Sequence, residues 1–597
     1  MLDPSSGGAS AQSGFWIALR RVLFFALVAV VGAAVLRLAV ATLSPGGIGA
    51  LDILLLCLYG IALPWLLIGF SVSVVGFCLL RFSHDPLAAT FPAAARIRGD
   101  EPIAARTAIL VCIRNEARDR VVRNLAPLLA GLAAAGAAER FHVFVLSDSD
   151  DPALAAAEEA RFAAFAQEWG ERIPVTYRRR LANVGFKAGN IGDFCRQWGA
   201  DYDFALTLDA DSFMAAEAVL RLVRIMQRDQ TLGIVQSLVV GLPSTSAFAR
   251  LFQFGMRLGM RSYTLGSAWW QADCGPYWGH NALIRLGPFM AHCDLPELPG
   301  DSLLGHQILS HDQIEAVLMR RAGYEVRVLP LEDQSFEENP ASLLEFIRRD
   351  LRWCHGNLQY WHLLGLPGLR MVSRYQLLFA ILMFVGSPAW IALLVIGSLA
   401  VAAASSPADM IRADAGTALF AATLVMWASP KLATFIDVLT RPKERWSFGG
   451  TLRFLASSLC ETAFSLLLAP VMWCGHTFFL ARLPFRQGIG WAAQVRDDHT
   501  VPLGLACRAL WPQTLLGLGV IGLLAVTHPG AIVYALPLAA GPALSIPLAV
   551  ITASPAVGAA LMRAGIGRLP EETAAPLALD ALALPAIVAA QAASASA

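Results

Sequence analysis

LTLDADSFM (206–214) closes an apolar run on two aspartates one residue apart, Asp209 and Asp211. Alone, such a pair is a solvated turn, because Asp, Ala and Ser are ordinary turn formers. Its meaning depends on what the rest of the chain brings to the same place.

On either side of it the sequence alternates between two periods. TAILVCIR (107–114), FHVFVLSDS (141–149), IPVTYRRR (173–180), FALTLDADS (204–212) and GIVQSLVV (233–240) are short, β-rich runs. Helical patterns such as RVVRNLAPLLAGLAAAG (120–136) and AAEAVLRLVRIMQRDQ (215–230) separate them. This alternation predicts an α/β domain with a mostly parallel sheet covered on both faces. Ligands bind at the carboxyl ends of the strands of such sheets. Polar residues collect there: Arg114-Asn115-Glu116, Asp148 and Asp150, Arg178 to Arg180, then Asp209 and Asp211. So many strand ends are not all casual turns, and the D-x-D reads as a cation site. Hard cations such as Mg²⁺ (or Mn²⁺) take one or two carboxylates and complete their shell with substrate phosphates.

Three further segments fit that chemistry. Lys187 and Asn190 in FKAGN (186–190) open a predicted helix where a cation and backbone donors would meet phosphates. Asp312 in LSHDQIEAVLMRRAG (309–323) starts a helix, where an acid complements the dipole or takes a proton from an attacking hydroxyl. Arg352 and Trp353 lie on the amphipathic segment FIRRDLRWCHGNLQYWHLL (346–364), as an interfacial anchor or as a phosphate holder and sugar-stacking ring.

Of 597 residues, 56% are hydrophobic and 15% charged, too apolar for a wholly soluble protein. The net charge of +1 points to no nucleic-acid partner, and ten cysteines without metal or disulfide spacing read as core residues of a reducing compartment. Apolar runs cluster at 22–42, 54–80, 377–404, 417–439, 454–481, about 510–527 and 531–552. Arg20-Arg21 ahead of the first give it the outline of a signal peptide, but a second run follows so closely that a membrane hairpin is expected. Basic flanks place the hydrophilic region inside the cell, and they lie on both sides of 454–481. The expected organisation is a two-span membrane region (1–81), a cytoplasmic domain ending in an interfacial helix (82–375) and a second membrane region (376–556). The last contains an interfacial or hairpin segment at 451–482, giving six or eight spans in all, and a cytoplasmic loop at 483–509. An Ala-rich tail (557–597) reads as poorly ordered.

Together these motifs resemble the processive family-2 glycosyltransferases, the group of cellulose and hyaluronan synthases. The resemblance implies a GT-A fold and an inverting displacement. It sets Asp148, with Asn115, Glu116, Lys187, Asn190 and Arg352, at the donor, Asp209 and Asp211 on the metal, and Asp312 as base. Gln236 and Ser237, and Gly279, His280 and Asn281 of YWGHN, would lie near the acceptor sugar. RDLRW (349–353) stands for the family's Q-x-x-R-W, with Trp353 under the acceptor and Arg349 replacing glutamine. His311 stands where cellulose synthases carry glutamate. FRQGIGWAAQVRDDHT (485–500) occupies the place of a gating loop, with Trp491, Arg496 and Asp497 over the nucleotide, or is an ordinary connection. These departures are shared with the osmoregulated periplasmic glucan synthases. That branch implies UDP-glucose as donor, a growing β-1,2-linked glucan chain, the bacterial inner membrane, and acyl carrier protein and a periplasmic glucan-processing protein as partners. Trp390, Trp427 and Trp473 are candidate lining for a glucan path through the bilayer, or lipid-facing residues. Three rivals are another membrane β-glycan synthase, a single-sugar lipid glycosyltransferase, and a transporter with a regulatory domain, which would not need both the D-x-D and Asp312. A two-metal hydrolase would need further ligands beside Asp209 and Asp211.

Overall fold

The computed structural model describes residues 14–588 except 44, 300–302, 333 and 486–495, together with residue 591. Ten strands make two sheets. In chain order they are β1 (Thr107–Ile113), β2 (Phe141–Ser147), β3 (Val175–Arg179), β4 (Phe204–Asp209), β5 (Ser212–Met214), β6 (Leu232–Ser237), β7 (Val240–Gly241), β8 (Ala282–Arg285), β9 (Glu325–Leu329) and β10 (Ser335–Glu337). The larger sheet has the order β3-β2-β1-β4-β8-β6-β9 and the smaller β5-β10-β7.

Nearly every residue of β1, β2 and β4 is buried, which explains their unbroken apolar runs: helices cover both faces. On one face Ile109, Val143 and Leu206 meet Leu125, Leu129 and Val219 of the covering helices. On the other, Leu110, Phe144 and Ala205 pack with Phe194 and Val317. That second core also takes in Leu377 and Ile381, from the first turns of the apolar helix Met371–Ala403. The hydrophilic domain is thereby rooted on a candidate membrane span. The five expected strands are present. One strand they did not announce, β8, runs antiparallel between β4 and β6, so the sheet is mixed. The chain reaches β8 from the 25-residue helix Ala247–Gln271 and not through a parallel crossover.

Six described helices are long and apolar enough to cross a membrane, and a seventh candidate is a pair bent by 55° between Ala543 and Ser545. The second, Ala50–Phe82, crosses Ala247–Gln271 where both backbones come close. A Cβ on Gly76 would sit 1.8 Å from the Ser262 carbonyl oxygen, and one on Gly266 2.0 Å from that of Val72. Arg81, Arg261 and Arg441 surround the buried Asp437 at 3.7, 3.7 and 3.3 Å, tying the ends of three helices together.

The segment expected as a hairpin, re-entrant pair or interfacial helix is one continuous helix, Thr451–Arg482. The two broken alternatives are therefore corrected: Pro470 lies inside the helix without ending it. Both its ends meet the hydrophilic domain. Phe454 packs on Phe254 and Leu258, and Phe479 packs beside Cys354.

The tail is a second correction. Glu571 pairs with Arg257 at 2.7 Å and Glu572 with Arg250 at 2.8 Å, both arginines being buried on the Ala247–Gln271 helix. Leu579, Leu582, Leu584 and Ile587 then cover Phe213 of β5, Val240 of β7 and Phe336 of β10. Ala-rich composition did not prevent order here, because four spaced apolar side chains and two acids have specific partners.

Candidate active site

The functional residues converge where β1, β2 and β4 end. Asn115, in the left-handed region at φ 53°, donates its backbone N–H to the Ser149 hydroxyl (2.7 Å) and its side-chain amide to Asp150 (2.6 Å). Asp148 is buried and takes two bonds of 2.7 Å from Arg180 and one of 3.0 Å from Asn190. Arg180 belongs to the arginine run seen in the sequence, but its pairing with Asp148 was not legible there.

Asp209, the last residue of β4, accepts from the Lys187 ammonium, which also donates to the Gly279 carbonyl at 2.8 Å. Burial raises the Asp209 carboxyl, but the Lys187 charge and hydrogen bond with the charges of His280 and Arg496 together outweigh it and hold the group below the usual carboxylate range. Asp211 accepts from Arg496, whose guanidinium also lies 3.7 Å from Glu116. Burial pushes the Glu116 carboxyl up. Burial opposes the Arg496 charge too, yet Asp211 and Glu116 raise it overall. Two of the three residues expected in the gating loop are thus at the cleft. Asp497 pairs with Arg120 at 2.6 Å, and Arg120 with Glu338 at 3.1 Å. Trp491 lies outside the described residues. Arg120 and Glu338 carried no signal in the sequence, being lone charges on a helix and beside a short strand.

Lys187 is the hinge between this carboxylate pair and a second group. It lines a cavity of about 190 Å³ together with Trp278, Gly279, Asp312, Arg352 and Trp353. Gly279 has φ +83° and presses on the base candidate; a Cβ there would stand 3.4 Å from that of Asp312. Asp312 is the first residue of the helix Asp312–Arg321. Behind it, the buried His311 ring lies 2.9 Å from Glu315; burial lowers the imidazole, but the Glu315 charge and hydrogen bond with the Asp312 charge together raise it above its usual range. Burial pushes Arg352 down to about 10, with Arg496 and Arg349 adding to the shift.

The remaining acceptor-side expectations fall one layer back. Gln236 accepts the Trp278 N–H (2.8 Å) and donates to the His280 carbonyl (3.0 Å). Ser237 donates to the Asn281 carbonyl at 2.6 Å, and Asn281 donates to Ser335 at 2.9 Å. These three side chains are buried and hold the loop that presents Trp278 and Gly279. His280 stands between Ser212 (3.4 Å) and Glu337 (3.6 Å), beside the D-x-D. Arg349 lies outside the cavity, against the Trp353 ring. Trp278 was inside a quoted motif but was not singled out.

Trp278 also lines a second cavity of about 200 Å³, with Trp65, Tyr263, Phe379, Gln313 and Gln376 on its walls and no charged residue among the described lining. Leu66, next to Trp65, borders a third of about 90 Å³. Trp390, Trp427 and Trp473 meet there: the Trp473 ring centroid is 5.5 Å from that of Trp390 and 5.6 Å from that of Trp427. The three therefore face one another; the first two cavities share Trp278 as a wall, and the second and third are lined by the sequence neighbours Trp65 and Leu66.

The sequence is similar to known families and proteins. Residues 108–292 match the model of glycosyl transferase family 2, and residues 204–436 that of glycosyl transferase family group 2. Glucans biosynthesis glucosyltransferase H of Pseudomonas putida is 36% identical over 543 residues, which are 88% of this chain and 63% of that protein. The protein of the same name from Pseudomonas fluorescens is 36% identical over 546 residues, 89% of this chain and 63% of its own length. The chain thus spans 63% of the length of these curated relatives. A solved structure, the mannosyltransferase PcManGT of Pyrobaculum calidifontis in complex with GDP-Man and Mn²⁺, aligns at 17% identity and TM-score 0.38, over 61% of this chain and 97% of that one. The mixed sheet has the GT-A form, and the helices outside it make a multi-pass membrane protein. Through residues 108–292, this chain carries a glycosyl transferase family 2 domain.

Proposed function

We propose that this chain is an inverting, processive glucosyltransferase of the bacterial inner membrane that uses UDP-glucose to extend a β-1,2-linked glucan and passes it across the bilayer. The carrying observation is the continuity of the cleft. Carboxylates for a metal–diphosphate, a base, a stacking ring and a second cavity share Lys187 and Trp278 as common walls.

Asp209 and Asp211 fit a divalent cation that arrives with a nucleotide. They are hard oxygen donors, and no group of three His, Cys, Asp or Glu among the described residues forms a complete cage, so phosphates have room in the shell. Such a cation neutralises charge on the departing diphosphate. Lys187 and Arg352 would add fixed positive charge beside it, and Arg496, held by Asp211 and Glu116, would supply a further cation for the phosphates. Asp312, across Lys187, takes the proton of the attacking hydroxyl on the face opposite the leaving group. Trp353 stacks on the acceptor sugar, and the uncharged second cavity receives the extended chain.

In this reading the domain is cytoplasmic. Thr451–Arg482 lies along the membrane face and not across it, so six spans remain, the bent pair being one of them. The test is direct. Purified protein incubated with Mg²⁺ and UDP-glucose, UDP-galactose or UDP-N-acetylglucosamine in turn should make polymer from UDP-glucose alone, and methylation analysis should find 2-linked glucose. Polymer of another sugar or another linkage would overturn the donor or the product assignment respectively.

A further inference from the structure

Arg349 occupies the position where the wider family carries glutamine, and its surroundings give it a task that glutamine could not perform. It lies on the helix Leu343–Leu358, one turn after Phe346 and one turn before Trp353. Its guanidinium carbon stands 4.8 Å from the Trp353 ring centroid and 5.6 Å from that of Phe346. One nitrogen donates to Asn339 at 3.2 Å, while Nε is buried with no hydrogen-bond partner. Burial lowers the guanidinium's affinity for its proton, with Glu337 and Asp211 opposing the loss. Arg349 does not line the cavity that holds Asp312, whereas Trp353 does. The guanidinium is therefore on the back of the indole, and the other face looks towards the base.

We infer that Arg349 is a positioning residue that fixes the plane of Trp353 from behind, and so sets how firmly the acceptor sugar is retained between additions. This rests on the proposed acceptor role of Trp353. Three features favour it. Trp353 is 46% exposed, so packing alone does not hold the ring. Arg349 is buried and anchored by Asn339, so the stacked cation is fixed in place. Phe346 supports the cation from its far side, making a Phe–Arg–Trp column along one helix face. Arg349 does not line the cavity that Lys187 and Arg352 share, so its nearest task is the Trp353 ring. A desolvated cation–π contact corresponds to a change of about 3- to 30-fold in an equilibrium constant. Loss of the column should therefore lower retention of the acceptor by that factor and leave the donor site alone.

The test has two arms. In the first, the full chain is labelled with 5-fluorotryptophan, and Trp353→Phe assigns the Trp353 signal by ¹⁹F NMR. Arg349→Gln and Arg349→Met should shift or broaden that resonance and leave the Trp390, Trp427 and Trp473 signals in place. Arg349→Lys should return it only in part, because an ammonium does not stack as a flat guanidinium does. In the second arm, product length and donor KM are measured with UDP-glucose. Arg349→Gln should shorten the polymer about 3- to 30-fold with donor KM within about twofold. An unmoved Trp353 signal in Arg349→Gln and Arg349→Met would overturn the positioning role. A raised donor KM with unchanged polymer length would assign Arg349 to the nucleotide instead. If the wild-type protein makes no polymer from UDP-glucose, the donor assignment fails while the NMR arm still decides the role of Arg349.

Discussion

Asp209 and Asp211 each have a cationic side chain in hand, Lys187 and Arg496 respectively. A metal bound at Asp211 competes with Arg496. Arg496→Met should therefore bind Mn²⁺ about tenfold more tightly without nucleotide, the equivalent of one charge-assisted hydrogen bond of roughly 1.5 kcal/mol. Mn²⁺ EPR measures this directly, and equal affinities would show that Arg496 does not guard the site. Asp209→Asn, Asp211→Asn or chelation should abolish transfer, with Mg²⁺ restoring the chelated enzyme; full activity in excess chelator would sink the metal assignment. Asp312→Asn should cut turnover by about 10²- to 10⁴-fold with UDP affinity nearly unchanged. Calorimetry with UDP separates the two readouts, and a parallel loss of binding would return Asp312 to the donor site. The candidate residues were legible because each lies inside a quoted motif, several of them at the end of a strand or the start of a helix. Their partners were not. Arg180, Arg120 and Arg496 lie 32, 218 and 285 residues from the acids they meet, and sequence carries no sign of such pairings. Gln236, Ser237 and Asn281 were legible as part of the site, but buried support and sugar contact leave the same mark on a single sequence.

At the level of elements, the crossing of Ala50–Phe82 over Ala247–Gln271 depends on Gly76 and Gly266. Gly266→Val puts side-chain carbon where the Val72 carbonyl stands and should abolish recovery of monodisperse protein from detergent. Gly259→Ala, on the same helix with open space at its Cβ, should be recovered normally; size-exclusion yield compares the two. The helix Thr451–Arg482 makes a different claim. If it lies along the membrane face, Lys443→Cys and Phe485→Cys, each in a cysteine-free background, should both react with an impermeant maleimide in inside-out vesicles. Reaction of one alone would make it a span. Its basic flanks are the sequence signal for that placement, whereas its continuity left none, because a proline such as Pro470 is tolerated in an apolar helix. Strand β8 escaped notice for the opposite reason. Four residues flanked by a glycine-containing turn and a short helix leave too little periodicity to read.

Over the whole molecule, the proposed sharing of synthesis and export by one polypeptide has a direct test. Vesicles containing only this protein, with the domain outward and labelled UDP-glucose outside, should accumulate glucan that resists added glucanase until detergent is applied. Polymer that stays wholly glucanase-sensitive would mean that another protein completes export. The division into membrane regions and a hydrophilic domain was legible from hydropathy. The way the parts interlock was not: Leu377 and Ile381 belong by pattern to a span and by packing to the domain core.

The tail has a consequence in time. Arg250 and Arg257 are translated 322 and 314 residues before the glutamates that neutralise them. At about 5–20 residues per second, the ribosome leaves Arg250 without its counter-charge for roughly 15 to 60 seconds, whereas Arg257 meets Glu332 at 3.5 Å much earlier. A buried arginine without its counter-charge is strongly destabilising, so the Ala247–Gln271 helix cannot settle during that interval. The small sheet beside the D-x-D waits equally long for Leu579 and its neighbours. By then every candidate span has left the ribosome. The order of synthesis thus completes the support of the small sheet beside Asp209 and Asp211 last, after the candidate spans.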